Sequence, residues 1–251
     1  MTPTLIAGAV FACVFGGALL GMLLRRALPE QHLTTDSRDV LKLGMGLIAT
    51  MSALVLSLLV ASAKTSYETQ RNELTQLSVS VVLLDRVMAH YGPETKEARE
   101  RLKQTFAASI ERIWPADSSR SAQLVPNASG GEAIYDEIQA LTPQTEAQRT
   151  LQAQALKTAI DLAQTRWLLF EQGGSSIPMP FLIVLVFWLT ILFAGFGVLT
   201  PRNATVVATL FVCALSVAGA LFLILELDHP FAGLIKIPST PMRSALAQLG
   251  R

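Results

Sequence analysis

The stretch from Leu43 to Pro93, LGMGLIATMSALVLSLLVASAKTSYETQRNELTQLSVSVVLLDRVMAHYGP, changes character half-way without losing helical periodicity. From Leu43 to Ala63 it carries no charge. A helix needs about 20 such residues to cross a hydrocarbon core of ~30 Å. Unpaired backbone amides cost several kcal/mol each in lipid, so a segment of this kind is helical. From Lys64 onward the composition is mixed, yet neither Gly nor Pro occurs before Gly92-Pro93, a pair that terminates helices. The reading is one helix over about residues 38–91, roughly 80 Å long at ~1.5 Å per residue. That exceeds a bilayer, so its second half should project into water. Asp36 or Ser37 is the expected cap at its start.

The two halves of this helix present different faces. At about 100° per residue, Gly46, Thr50, Ala53, Ser57 and Ala61 share one side, continued by Lys64 and Glu68. Beyond the membrane, Leu74, Leu77, Val81, Leu84, Met88 and Tyr91 form a heptad seam roughly opposite that stripe. Such a helix packs on one side and offers small or hydroxyl side chains on the other. Asp85 and Arg86 fall on its polar side, as an ion pair or a solvated face.

Three more uncharged runs, Met1–Leu24, Phe181–Leu199 and Ala204–Leu225, have spanning length. The chain is 51% hydrophobic and 16% charged, against about 25% charged in a soluble domain. Four spans follow. The first is an anchored helix rather than a cleaved signal, because Arg25-Arg26 follow its apolar run instead of preceding it. Gly8, Ala12, Gly16 and Cys13, Gly17, Gly21 give it two small-residue tracks for close helix packing.

Residues 92–176 read as soluble and helical. Leu102, Phe106, Ile110 and Ile113 form an amphipathic stretch ending at Trp114-Pro115, and residues 115–131 have loop composition. Ile134, Ile138 and Leu141 mark a short helix. Thr142-Pro143 resembles the cap of the next one, whose seam is Ala153, Leu156, Ile160, Ala163, Trp167 and Phe170. These seams should pack against the long helix as a bundle, with Arg166-Trp167 as a tether back to it. GGSSIPMP, at 173–180, is a hinge into the third span, and TPRN, at 200–203, makes spans three and four an antiparallel hairpin. Positive charge divides almost evenly between the two sides, five residues from Arg25 to Arg202 against seven from Lys64 to Arg251, and leaves orientation open.

A net charge of +1 without a basic aromatic patch argues against nucleic-acid binding. The two cysteines, Cys13 and Cys213, lie inside spans and read as packing residues. The fourth span runs into LELDHPFAGLIKIP, residues 225–238, where Glu226, Asp228 and His229 have residue types suited to acid–base or metal chemistry. No HExxH, GxSxG or phosphate loop accompanies them, and Asp228-His229 alone is two ligands short of a metal site. The chain is therefore not expected to be an enzyme or to need a cofactor or metal. A structural corner is the preferred reading, with the carboxylates paired to Lys64 or Lys236 and the helix stopped at His229-Pro230.

Three segments carry a family resemblance. They are LPEQHLTTDSRDVLKLGMGLIATMSALVLSLLVASAKTSYETQRNELTQL with its AxxxYExxRNEL helix, LLDRVMAHYGPETKEAR, and LELDHPFAGLIKI. In this order, from about Leu28 to the C-terminus, they resemble a bestrophin-like domain family of bacterial membrane proteins, distantly similar to bestrophin anion channels. Asp228-x-Pro230-Phe231-x-Gly233 is the most specific short element. Together with the four uncharged runs and the seams, this gives the expectation of a single all-α unit over 1–251, a polytopic helical membrane protein with spans at about 4–24, 43–63, 181–199 and 204–225, an extramembrane bundle at 64–176 and a tail at 229–251. The resemblance also implies a multi-pass protein of the bacterial inner membrane, a pentameric homo-oligomer, a small anion as cargo and a cytoplasmic bundle. The pore would be lined by the second span, here by Thr50, Ala53, Ser57 and Ala61. The corner would comprise Glu226, Asp228, His229, Pro230, Phe231 and Gly233. Two features depart from true bestrophins: the stripe has no aromatic residue, and no acidic run of the kind that binds calcium follows the fourth span. A non-conducting scaffold or sensor, whose bundle binds a partner, is the alternative reading.

Overall fold

The structure, a computed structural model, describes residues 2–27, 35–115, 128–172, 177–201, 203–231 and 233–250. The expected loop at 115–131 and the 173–180 hinge fall partly outside these, and His32 and Arg202 wholly so. The described residues form eight α-helices and no strand: α1 (Pro3–Ala27), α2 (Thr35–Tyr91), α3 (Lys96–Ile113), α4 (Ala128–Gln139), α5 (Glu146–Glu171), α6 (Met179–Leu199), α7 (Ala204–Leu227) and α8 (Thr240–Leu246). A single 3-10 turn, Pro93–Thr95, separates α2 from α3. Four helices, α1, α2, α6 and α7, are long and apolar enough to cross a membrane. At 57 residues, α2 measures roughly 85 Å at ~1.5 Å per residue. It starts at Thr35, so Asp36 lies in its first turn rather than at its cap. It ends where Gly92 takes φ 141°, a conformation that side-chain-bearing residues rarely adopt.

The chain divides into two compact units, Met1–Thr65 with Ser176–Asp228, and Ser66–Ser175 with His229–Arg251. In the first, α1 packs on both α6 and α7. Lipid offers no hydrophobic drive between helices, so small residues that let backbones approach decide this contact. One of the two tracks on α1 is used. A Cβ at Gly17 would stand 2.8 Å from the Thr190 carbonyl oxygen, and one at Gly21 would meet the carbonyl of Ala194. Gly197 of α6 returns the fit, since its Cβ would meet the Ala18 carbonyl. Gly8 and Gly16, on the other track, have nothing within 4 Å. Phe11 and Phe15 of α1 meet Phe211 of α7 edge-on, at centroid distances of 5.4 and 5.5 Å. Met45 joins α2 to α6, with its sulfur 2.7 Å from where a Gly195 Cβ would be. Asn203 caps α7, its Oδ1 accepting from the Val206 amide at 2.7 Å.

The core of the second unit is the expected seam of α2. Leu74, Leu77, Val81, Leu84, Met88 and Tyr91 are all buried, together with Leu102, Phe106 and Ile110 of α3 and Ile134 and Ile138 of α4. Gln152 of α5 closes the end of α4 by donating from Nε2 to the carbonyls of Ile138 and Leu141, each at 2.9 Å.

Two expectations are corrected here and one alternative is decided. The seam of α5 is turned: Ala155, Thr158, Ala159 and Leu169 are buried, whereas Ile160, Trp167 and Phe170 are exposed. Ala155 and Ala159, which keep the helices close, and Leu169 face the bundle, while Ile160 and Trp167 stay exposed. The cap of α5 is Thr145, three residues past Thr142, with its hydroxyl accepting from the Gln148 amide at 3.2 Å. Gln148 reaches back to the Gln144 amide at 2.8 Å, a variant of the capping box. For Asp85 the ion-pair alternative holds, with Arg99, and the solvated face does not. The residue is 1% exposed and accepts from Arg99 Nε and Nη2 at 2.8 and 3.0 Å, and from the Gly250 amide at 3.2 Å.

Candidate functional site

The candidate stripe on the first half of α2 stays uncovered in the single chain. Thr50, Ala53, Ser57 and Ala61 are all exposed. Met45, Ser52, Leu59 and Ala63, on the opposite side, are buried against the other helices of the same unit. The two sides follow from one periodicity: residues 45, 52 and 59 repeat every seven positions, whereas 50, 53, 57 and 61 fall about 100–180° around the helix from their mean direction. Exposed Leu47, Leu54 and Leu58 border the stripe on one flank.

The stripe has no acid or base. Its polar atoms are two hydroxyls, and each donates into its own helix: Thr50 Oγ1 to the Gly46 carbonyl at 2.9 Å, and Ser57 Oγ to the Ala53 carbonyl at 2.8 Å. This back-bonding is how hydroxyls satisfy themselves on a helix surface. It leaves the oxygen lone pairs outward, and rotation about χ1 turns the proton outward instead. The face can solvate either sign of ion weakly and bind neither tightly. It can line a water-filled path, and it cannot carry bond-making chemistry.

The corner that closes the membrane unit is built differently. Glu226 and Asp228, at the end of α7, are each 3% exposed, and each makes further polar contacts. The Asp228 amide donates to the Ile224 carbonyl at 3.1 Å as the last bond of the helix. His229 is exposed and opens the second unit. From there Phe231 and Ile237 bury their side chains in the bundle core. The Ile237 amide donates to the Pro230 carbonyl at 2.9 Å, closing the turn, with Gly233 at φ 97° inside it. Trp114 fastens the turn to α3: its Nε1 donates to the Ile237 carbonyl at 2.9 Å, and its ring meets Phe231 edge-on at 6.3 Å. Leu234 stays 81% exposed. The motif residues thus fall into two environments, two buried carboxylates ending a helix and a hydrophobic turn sealed by a tryptophan. Among the described residues, no three His, Cys, Asp or Glu side chains gather as a metal set.

Comparison with known proteins gives this architecture its place. The family model of the Bestrophin-like domain matches residues 12–242. The chain belongs to the Bestrophin-like family. Among curated proteins no sequence matches it. Among solved structures, point variants of a bacterial bestrophin homologue from Klebsiella pneumoniae superpose over nearly the full length of both chains. One gives a TM-score of 0.68 at 13% identity, over 100% of this chain and 99% of that one. Two others give 0.68 and 0.64 at 12% and 13% identity, over 96% of this chain and 98% of theirs. At such low identity the shared property is the fold. The order of spans, long helix and inserted bundle in this chain is therefore a bestrophin order.

Within that bestrophin-like frame, two polar ties escaped reading from the sequence. One is the Asp85–Arg99–Gly250 group. The other joins α2 to the end of α5. Gln70, 1% exposed, donates to the Gln172 carbonyl at 3.1 Å, and Gln172 Nε2 donates to Glu73 Oε1 at 2.8 Å. The RNEL element of the family pattern carries Glu73 into this tie. Arg166, expected as a tether to α2, lies against Gly131 of α4, where an added Cβ would be 3.3 Å from Nη1.

Proposed function

We propose that this bestrophin-like chain is a homo-oligomeric anion channel of the bacterial inner membrane, pentameric like the bestrophins, with α2 facing the central path. The observation that carries this reading is the uncovered stripe Thr50, Ala53, Ser57 and Ala61, opposite a face of α2 buried within its own unit. A helix placed this way has one side fixed by its own chain and one side left for copies and solvent. Small side chains keep the path open, and hydroxyls supply dipoles without a binding site deep enough to trap an ion. The leucines flanking the stripe, and Ile160, Trp167 and Phe170 on α5, supply apolar surface for neighbouring copies. The corner Glu226, Asp228, His229, Pro230, Phe231 and Gly233 serves as a structural joint with no catalytic role.

The test is electrical. Purified protein in planar bilayers should pass an anion-selective current, and Thr50→Val with Ser57→Val should lower its conductance while the oligomer persists. Absence of current, with an intact ring in the same preparation, would replace the channel by a non-conducting scaffold.

A further inference from the structure

The bundle contains a cavity of about 90 Å³, lined by residues of α2, α3, α4, α5 and α8, whose chemistry the channel reading does not use. Its floor is apolar, with Leu77, Val81, Phe106 and Ile134 among the lining residues. Its polar side chains are the cations Arg112 and Arg166 and the hydroxyls Thr105 and Ser109, with no acid among them. Ser109 spends its proton on the Thr105 carbonyl, at 2.8 Å. Arg166 is the unusual member. Its Nε is buried and has no hydrogen-bond partner among the described residues. Burial pulls its pKa below the ordinary arginine value, opposed only by the charge of Glu132. Such a donor is costly to leave unmade. The fold makes room for it with a glycine: a Cβ at Gly131 would stand 3.3 and 3.4 Å from Arg166 Nη1 and Nη2. At the adjacent Gly130, a Cβ would be 2.8 Å from Thr105 Cγ2. The glycine pair thus lets Thr105 and Arg166 converge on the same rim.

An apolar pocket with a guanidinium fork at its edge matches one ligand chemistry, a carboxylate on a short hydrocarbon body. The fork pairs with both carboxylate oxygens in one plane. The cavity is smaller than an apolar cavity of ~150 Å³ that admits benzene, and that limits the body to a few carbons. A bare halide would leave the apolar floor unfilled, and a neutral amide would forgo the charge-assisted pair with the guanidinium. We propose that this cavity binds a short-chain monocarboxylate of butanoate size, with Arg166 gripping the carboxylate and the α2–α3–α4 floor taking the hydrocarbon. The site would make the bundle a receptor for small organic acids.

The experiment is calorimetric titration of the full-length protein in detergent with sodium butanoate, reading binding and not conductance, so its outcome is independent of channel activity. Affinity should rise about fourfold per methylene from acetate to butanoate, as each buried CH₂ predicts, and fall for octanoate, which exceeds the cavity. Butanamide and chloride should bind at least tenfold more weakly than butanoate. Arg166→Gln should reduce butanoate affinity at least tenfold, and Leu162→Phe, which fills the cavity from α5, should abolish binding. If Arg166→Gln does not fold, Leu162→Phe decides alone. Absence of saturable butanoate binding, equal binding of butanamide, equal competition by chloride, or unchanged affinity in the cavity-filling variant would each overturn the assignment.

Discussion

Replacing Asp85 by alanine should loosen the bundle at its C-terminal edge. The carboxylate is buried and accepts three hydrogen bonds, two from the Arg99 fork and one from the Gly250 amide. Removing it leaves a guanidinium whose side chain is 20% exposed and a backbone donor beside it. Breaking one partner of a buried pair costs about 3–5 kcal/mol. The solvent contact left to Arg99 places this case near the lower end, about 3 kcal/mol. At about 2–4 °C per kcal/mol for a chain of this size, the unfolding midpoint should fall by roughly 6–12 °C. Scanning calorimetry in detergent measures that shift. Hydrogen exchange over residues 242–250 should accelerate at temperatures where the rest of the bundle remains protected. The charge pair itself is not what the fold requires, so Asp85→Leu combined with Arg99→Met should recover most of the loss. A midpoint within about 2 °C of wild type for the alanine variant, or a double variant no better than the single one, would refute this account of the bundle edge.

Further outcomes follow from the same geometry. Gly21→Ala should destabilise the α1–α6 contact by about 2–3 kcal/mol, because the new methyl meets a carbonyl and two backbones must part. Gly8→Ala, with nothing within 4 Å, should be neutral or slightly stabilising; detergent unfolding of the two variants checks the contrast. Burial, and secondarily the charge of Glu94, raises the Tyr91 pKa. The folded state therefore favours the neutral phenol. Its contribution is intact below about pH 10, the unfolded value, and declines as pH climbs from there toward the folded value. Tyr91→Phe should remove that part of the alkaline slope and leave neutral pH unchanged, as denaturant melts of both proteins across the range would show. Trp114→Phe should free the turn at residues 230–237 by deleting the bond to the Ile237 carbonyl, read as faster exchange of the Ile237 amide.

The parts of this architecture legible in the sequence are those governed by a single dominant force. Spans follow from the need to satisfy amides in lipid, and the four expected runs are the four spanning helices. The α2 seam from Leu74 to Tyr91 was readable because one amphipathic face runs through several turns against one core. The α5 face was not, because hydrophobic size there competes with closeness of packing: Ala155 and Ala159 win the inside, while Trp167 and Ile160 remain outside. The partner of Asp85 escaped because Arg99 is 14 positions away and across a turn, beyond any helical pairing rule. The Thr145 cap was hidden by Thr142-Pro143, an equally good local signal that tertiary packing does not use. At the candidate site, the stripe could be drawn from periodicity alone, and its exposure within the single chain could not. The cavity beneath Arg166 had no sequence signal except Gly130-Gly131, which reads as a loop until α3 and α5 are seen to converge there.

The central claim is that the α2 stripe faces a conducting path, and charged-thiol modification during current recording tests it most directly. Cys13 and Cys213 are exposed on the surface of the chain and must first be replaced by serine. In that background, single cysteines at Ala53, Ser57 and Ala61 should react with a water-borne, negatively charged methanethiosulfonate and lose anion current, whereas one at buried Leu59 should not. Current through the Ser57 variant that persists unchanged under the reagent, or equal block at Leu59, would contradict it.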